Sequence, residues 1–314
     1  MIEATAPGKI ILFGEHAVVY GRPAIAVPVA DVQAKAVLQP TPAGAGFRII
    51  APDLGRDYLL AQAEPDDPLA TVIQATLRRL NQPVLPDVNL RITSTIPLGR
   101  GLGSGAAIST AIVRVLSQFF NQPLAPAEIS ALVYEVEKLY HGTPSGIDNT
   151  VVAFEQPVYF VKGRPIQRMR VGQPLMLAVG DTGIVAPTHV VVGDLRRRWQ
   201  ADPERYEGYF DEIGVIADQA RIAIEEAASG IPAIGRLMNE NQELLATLGV
   251  SSPELERLID AARQSGALGA KLSGAGWGGN MIALTWPDQA AAIAQVLGKA
   301  GAVQVIMTEV AKSS

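Results

Sequence analysis

The stretch from Pro97 to Ala107, PLGRGLGSGAA, constrains this chain more than any other, because it sets four glycines and a serine directly before a strongly amphipathic segment. Gly99, Gly101, Gly103 and Gly105 admit positive φ and close main-chain approach, so successive N–H groups can converge on one anion. From Ser104 onward Ile108, Ala111, Ile112, Val115, Leu116 and Phe119 recur at helical spacing, which predicts a packed helix reaching about residue 120. The N-terminus of such a helix carries roughly half a unit of positive charge and adds to the cradle. A phosphate-bearing ligand is the first expectation.

The common P-loop, GxxxxGK[ST], is absent: Gly8-Lys9 is followed by Ile10, and Gly298-Lys299 by Ala300. Two segments match the dinucleotide pattern GxGxxG/A, beginning at Gly101 and at Gly274. Pro97 keeps a strand from running straight into the first, and NQPLAP stands where a ribose-binding acid would end a second strand. The second leads into the apolar strand MIALTW and not into a helix. Neither context suits a nucleotide-binding βαβ unit.

With 314 residues the chain is about two domains long at roughly 150 residues each, and 48% hydrophobic residues suffice for buried cores. Basic and acidic residues number 26 and 31, a net charge of −5, which excludes a general nucleic-acid-binding surface. The one basic run, Arg196 to Arg198, reads as a solvated helix face. No run of about eighteen apolar residues occurs, and Glu3 and Lys9 fall within the N-terminal segment, so neither a membrane span nor a signal peptide is expected and the location expected is cytoplasmic. The absence of cysteine removes disulfides, thiolate nucleophiles and Cys-held metals, and three histidines do not suggest a His cage.

Alternation and turn signals predict strands at Ile10–Phe13, Ala24–Val29, Val32–Leu38, Phe47–Ala51 and Val88–Ser94, with a helix at about 67–81. A helix from about 126 to 140 follows the glycine cradle, opened by Pro126, and Val151–Lys162 then reads as a strand. Strands are expected at Leu175–Val179, Met281–Trp286 and Ala302–Thr308, and helices at roughly 203–229, 232–247, 253–265 and 287–300. The domain boundary falls near residue 170, within about ten either way, giving domains 1–170 and 171–314.

On the helix at 126–140, Ile129, Leu132, Val133, Val136 and Tyr140 make one stripe while Glu128, Glu135 and Lys138 point away. Glu137 sits at the border, a position that suits either an ordinary salt bridge or a bound cation. Asp148 closes the turn-rich HGTPSGIDN, either as a capping residue or as an acid presented to a ligand. Lys9 enters an apolar strand, and Glu15-His16 adjoin in a loop bounded by Gly14 and Gly21. Lys271 to Asn280, KLSGAGWGGN, is a third glycine-rich segment of the kind that borders ligands.

Taken together and in this order, these pieces resemble the GHMP small-molecule kinases. APGKIILFGEHAVVYG is similar to the N-terminal motif, PLGRGLGSGAA to the central ATP-phosphate loop, and KLSGAGWGGN to the C-terminal glycine motif. The spacing covers nearly the whole chain. Within the family, EHAVVYGRPAIAVPV and EKLYHGTPSGIDN resemble the members that act on mevalonate. The resemblance implies an α+β, two-domain GHMP kinase fold, with an N-terminal domain like domain 2 of ribosomal protein S5 and a ferredoxin-like C-terminal domain. It implies ATP-dependent phosphorylation of the primary hydroxyl of mevalonate in isoprenoid biosynthesis, with ATP and mevalonate as small-molecule partners, Mg²⁺ as cofactor and no nucleic acid or membrane. Dimers are common in the family, so a homodimer is among its implications.

By the same resemblance Asp148 is the catalytic base and Lys9 the lysine that pairs with it. Glu137 and Ser104 are the metal ligands. Pro97, Gly99, Gly101, Leu102, Gly103, Ser104, Gly105, Ala106 and Ala107 bind ATP, and Glu15, His16, Ser145, Gly146, Thr188, Gly274 and Ala275 line the substrate site. Two departures stand out. The loop usually reads GLGSSAA, and its second serine, often a metal ligand, is Gly105 here. In animal members an arginine stands two residues before the threonine matched by Thr188, where this chain has Ala186. A phosphomevalonate-directed member is the second reading, with Arg196 to Arg198 for an added phosphate, and a non-catalytic ATP or isoprenoid sensor the third.

Overall fold

The computed structural model describes residues 1–141, 144–226 and 230–312, with the side chains of residues 139–141 outside the description. The chain divides into two compact units. One comprises Met1–Gly8, Val32–Leu98 and Gly103–Glu155, and the other Lys9–Asp31, Gly99–Leu102 and Gln156–Ser314. Two long strands, β1 (Ile2–Phe13) and β2 (Ala24–Pro40), contribute to both, so the units do not follow a single cut along the chain.

In the first unit β3 (Phe47–Ala51) pairs antiparallel with β4 (Arg56–Leu59) and parallel with β5 (Val88–Ser94). The second half of β2 pairs antiparallel with β5, from Ala34 opposite Ser94 to Pro40 opposite Val88. Beside these strands α1 (Pro68–Arg79), α2 (Ser104–Phe119), α3 (Pro126–His141) and α4 (Ile147–Phe154) pack on one another. Asp67 caps α1 by accepting from the N–H groups of Leu69 (2.8 Å) and Ala70 (3.1 Å), with Pro68 in the first turn where no N–H is needed. The stripe predicted for α2 is buried apart from its last member: Ala111, Ile112, Val115 and Leu116 are fully covered, and Phe119 is half-buried.

The strand expected over Val151–Lys162 is not found. Its first residues belong to α4, and only Val158–Phe160 extend, as β6. The β-branched run misled because Val151 and Val152 fill a helical face, while Thr150 Oγ1 donates back to the Gly146 carbonyl (2.7 Å) and Asn149 Nδ2 donates to the carbonyl of Ser130 on α3 (3.0 Å). Tertiary packing overrides strand propensity here.

In the second unit β2's first residues pair with β6, and β6 with the short β7 (Gln167–Arg168). There follow β8 (Leu175–Asp181), α5 (Thr188–Ala201), α6 (Pro203–Glu225), α7 (Gly230–Thr247), α8 (Pro253–Gln264), β9 (Gly269–Ser273), β10 (Asn280–Thr285), α9 (Ala290–Lys299) and β11 (Gln304–Val310). The four strands form an antiparallel sheet in the order β11-β8-β10-β9. Numbered within this unit that is 4-1-3-2, the ferredoxin-like arrangement. All six residues of β10 are buried, as a central strand covered on both faces requires. The sequence reading named no helix over 188–201; its first turns, THVVV, are β-branched, and burial of Val191 and Leu195 four residues apart holds α5 in place. Among the described residues no helix is long and apolar enough to cross a membrane.

Candidate active site

The glycine loop takes the backbone its sequence demands. Gly99, Gly101 and Gly103 have φ of 67°, 81° and 73°, and Gly103 is the N-cap of α2 with no side chain capping the helix. The first-turn N–H groups of Ser104, Gly105 and Ala106 have no intrahelical acceptor by geometry, which is the condition for anion binding. Gly105 differs from its neighbours: it lies inside α2, and a Cβ built on it meets nothing within 4 Å.

Residues 99–102 of the loop belong to the second unit, where three contacts fix them. The Leu102 carbonyl accepts from the N–H of Lys9 (2.9 Å), a residue of β1 that is itself buried. Arg100 reaches Asp181 Oδ1 at the end of β8 (3.4 Å), and Asn280 Nδ2 at the start of β10 donates to the Arg100 carbonyl. Asp181 and Asn280 are register partners, so one end of the sheet grips the loop from both strands.

In the first unit Asp148 lies in the first turn of α4 behind Gly146, whose φ is 89°. It therefore opens a helix instead of preceding a strand. Ser145 Oγ accepts from the Ile147 N–H (3.3 Å). Asn149 bridges to α3 through Ser130, both carbonyl and hydroxyl (2.9 Å to Oγ), and Glu137 projects from α3 half-buried, in the border position the helical wheel gave it. Thus Glu137 and Asp148 stand on two helices held together by a polar link.

Glu15 and His16 are both buried in the second unit, as the loop's anchoring requires: Tyr20 stacks on Phe210 of α6 with ring centroids 4.1 Å apart, and Arg22 pairs with Asp211 at 2.8 Å. Glu15 forms an ion pair with Lys271 of β9, and the His16 ring contacts the Ala275 carbonyl at 2.9 Å. Burial raises the Glu15 carboxyl above its ordinary range and lowers the Lys271 ammonium, while their mutual attraction opposes both shifts. Burial also pushes His16 down to about 4, so the ring is neutral near pH 7. Gly274 and Gly276 to Gly279 have positive φ, with Ala275 between them, and Gly276 is obligatory, since a Cβ there would lie 1.9 Å from the Val250 carbonyl oxygen. Thr188 is exposed at the first position of α5, and Ala186 is half-buried against the core.

Among the described residues no three His, Asp or Glu side chains cluster as a ready metal cage. Glu137 on α3 and Ser104, the first residue of α2, are each hard oxygen donors of the kind that Mg²⁺ takes beside water and phosphate oxygens.

Residues 69–156 match the GHMP kinases N terminal domain and residues 223–303 the GHMP kinases C terminal domain. The chain belongs to the GHMP kinases. Among curated proteins of this family, the mevalonate kinase of Thermococcus sibiricus is 35% identical over 96% of this chain and 94% of its own length. That of Pyrococcus abyssi is 36% identical over 98% of this chain and 95% of its own. The crystal structure of L. major mevalonate kinase in complex with R-mevalonate superposes with a TM-score of 0.85 at 30% identity, covering 99% of this chain and 96% of the other. The two-domain α+β fold expected from the motifs is that of these GHMP kinases.

Within this GHMP kinase the second unit brings Lys9, Gly99, Gly101, Leu102, Glu15, His16, Thr188, Gly274 and Ala275 into one body, and the first unit holds Pro97, Gly103 to Ala107, Glu137, Ser145, Gly146 and Asp148. Sequence reading placed Lys271 and Asn280 within the third glycine-rich segment and Asn149 within HGTPSGIDN, but gave none of the three, nor Asp181, a part of its own. Only Lys271 carried a signal, as a charge inside the otherwise apolar strand GAKLS. The Arg196 to Arg198 run is largely engaged: Arg197 and Arg198 both bind Asp194, and Arg198 also donates to the Leu248 carbonyl.

Proposed function

We infer that this protein is an ATP-dependent kinase that phosphorylates the primary hydroxyl of mevalonate, giving 5-phosphomevalonate and ADP. The observation that carries this reading is the near full-length likeness to mevalonate kinases at 35–36% identity. Engagement of Arg197 and Arg198 by Asp194 disfavours the reading in which that run receives a second phosphate.

In this reading residues 1–170 and 171–314 are the two functional domains. The loop from Pro97 to Ala107 wraps the ATP phosphates with main-chain N–H groups, which favours charge spread over the transferred phosphoryl group. Asp148 accepts the proton of the attacking hydroxyl, and Lys9 is the second catalytic residue. Glu15, His16, Ser145, Gly146, Thr188, Gly274 and Ala275 orient mevalonate. Glu137 and Ser104 would hold Mg²⁺, which when bound neutralises charge on the β- and γ-phosphates. In this reading the protein acts in the cytoplasm, and the frequency of dimers in the family supports a homodimer as its assembly.

Product analysis tests the reading. Incubation with ATP, Mg²⁺ and mevalonate yields a single phosphomonoester at the primary carbon by ³¹P and ¹³C NMR. A phosphorylated tertiary hydroxyl, or a product only from phosphomevalonate, would contradict it. Asp148→Asn is expected to lower kcat by about 10²–10⁴ with ATP affinity nearly unchanged; turnover comparable to the parent enzyme would remove Asp148 from the base role.

A further inference from the structure

Lys271 stands in the middle of β9, a strand whose five residues are all buried. Its Nζ donates to Glu15 Oε1 and to the Leu272 carbonyl (2.6 Å), and both charged side chains are fully covered. The second oxygen, Glu15 Oε2, is buried with no hydrogen-bond partner among the described residues. Buried ion pairs are seldom a source of net stability, because desolvation consumes the Coulombic gain and an apolar pair of similar volume often does as well. Something other than stability is therefore needed to explain the pair.

The backbone beside it supplies that reason. The Glu15 carbonyl accepts from the Ala17 N–H at 2.7 Å, closing a γ-turn whose central residue is His16, with φ 62° and ψ −50°. A γ-turn of this hand is rare and strained and persists only where its surroundings over-determine it. Those surroundings come from one short segment. Lys271 holds the Glu15 side chain, Ser273 Oγ accepts from the Ile11 N–H (3.1 Å) and donates to the Ile11 carbonyl (2.9 Å), and the Ala275 carbonyl meets His16 Nε2. Because a carbonyl can only accept, the neutral ring is assigned its proton on Nε2, which leaves Nδ1 as a lone pair.

We propose that Lys271 is a positioning residue of the substrate site: through Glu15 it fixes the strained turn at His16, so that the ring offers Nδ1 as a hydrogen-bond acceptor to a hydroxyl of the substrate. This rests on the reading of the protein as a kinase of mevalonate. It makes the buried pair a device for substrate affinity and not for nucleotide binding.

The test compares Lys271→Met, Glu15→Gln and the double variant with the parent enzyme, measuring kcat and the separate KM values for mevalonate and ATP. Lys271→Met is expected to raise KM for mevalonate by about tenfold or more while KM for ATP stays within about twofold. The double variant is expected to be no worse than Lys271→Met alone, since the two residues act through one link. Equal rises in both KM values, or fully additive losses, would overturn the proposal. Lys271→Met strands a buried carboxylate and can fail to fold, so the parent protein supplies a second readout. Its ¹⁵N-labelled His16 ring, identified by comparison with His16→Gln, is expected to show an unprotonated Nδ1 at pH 7 whose resonance moves on adding mevalonate without ATP. A protonated Nδ1, or no movement at a mevalonate concentration that supports turnover, would overturn it. Lack of mevalonate turnover in the parent enzyme would instead sink the substrate reading, and the two failures are thereby told apart.

Discussion

His16 shows how one side chain ties stability to pH. Its ring, held near 4 by burial against an ordinary 6.5, binds a proton less readily in the folded than in the unfolded chain. The stability it contributes is therefore present above about pH 6.5 and is lost as pH falls towards 4, a span equivalent to roughly 3 kcal/mol at most. Denaturation followed from pH 7 to 4.5 is expected to show a decline that His16→Gln flattens. Glycines give the converse lesson. Gly14, with φ 91°, would place a Cβ 2.4 Å from the Pro23 carbonyl oxygen, so Gly14→Ala is expected to cost about 3 kcal/mol in urea denaturation. Gly105 has open space and helical backbone, and Gly105→Ala is expected to stabilise by about 0.5 kcal/mol. Gly105→Ser should in addition lower the Mg²⁺ concentration needed for half-maximal activity, and an unchanged Mg²⁺ profile would mean other groups already compensate. The need for glycine at 99, 101 and 103 was legible in the sequence, since it follows from spacing alone. That Gly105 is free of any such need was not, because it depends on where the helix begins.

At the scale of elements, the link between α3 and α4 carries the most weight. Ser130, Asn149 and Thr150 are buried polar residues that join the helix bearing Glu137 to the helix bearing Asp148. Asn149→Ala removes two hydrogen bonds to Ser130 and is expected to cost about 1–3 kcal/mol. If the link also sets the separation of the two carboxylates, kcat should fall at temperatures well below the thermal midpoint; an unchanged kcat there would confine Asn149 to stability. The sequence hid α4 because Thr150, Val151 and Val152 favour extended backbone when read alone, and only contact with α2 and α3 selects the helix. The same blindness hid α5, whose β-branched first turns are held by Val191 and Leu195 in the core. By contrast α1 and α8 were plain, each opened by a side-chain cap followed by proline, Asp67-Pro68 and Ser252-Pro253.

For the whole molecule, the fold was legible through the family resemblance that three motifs at separated positions carry, and not through any run of secondary structure. Their physical content, positive φ and close main-chain approach, survives in the backbone at Gly14, Gly101, Gly103, Gly274 and Gly276. Contacts among buried polar groups were not legible, because pairs such as Lys271 with Glu15 or Asn280 with Arg100 lie far apart along the chain and nothing local announces them. The division into compact units was hidden for a related reason: β1 and β2 thread both, so composition changes nowhere mark the seam. The central claim is that this assembly phosphorylates mevalonate. Its most direct test is ADP release by the purified protein with ATP and Mg²⁺, with mevalonate, phosphomevalonate, homoserine and galactose each supplied in turn. Turnover with mevalonate, with kcat/KM at least about a hundredfold above the other three, is the predicted result. Equal or greater turnover with phosphomevalonate, or ATP binding without turnover of any of the four, would contradict it.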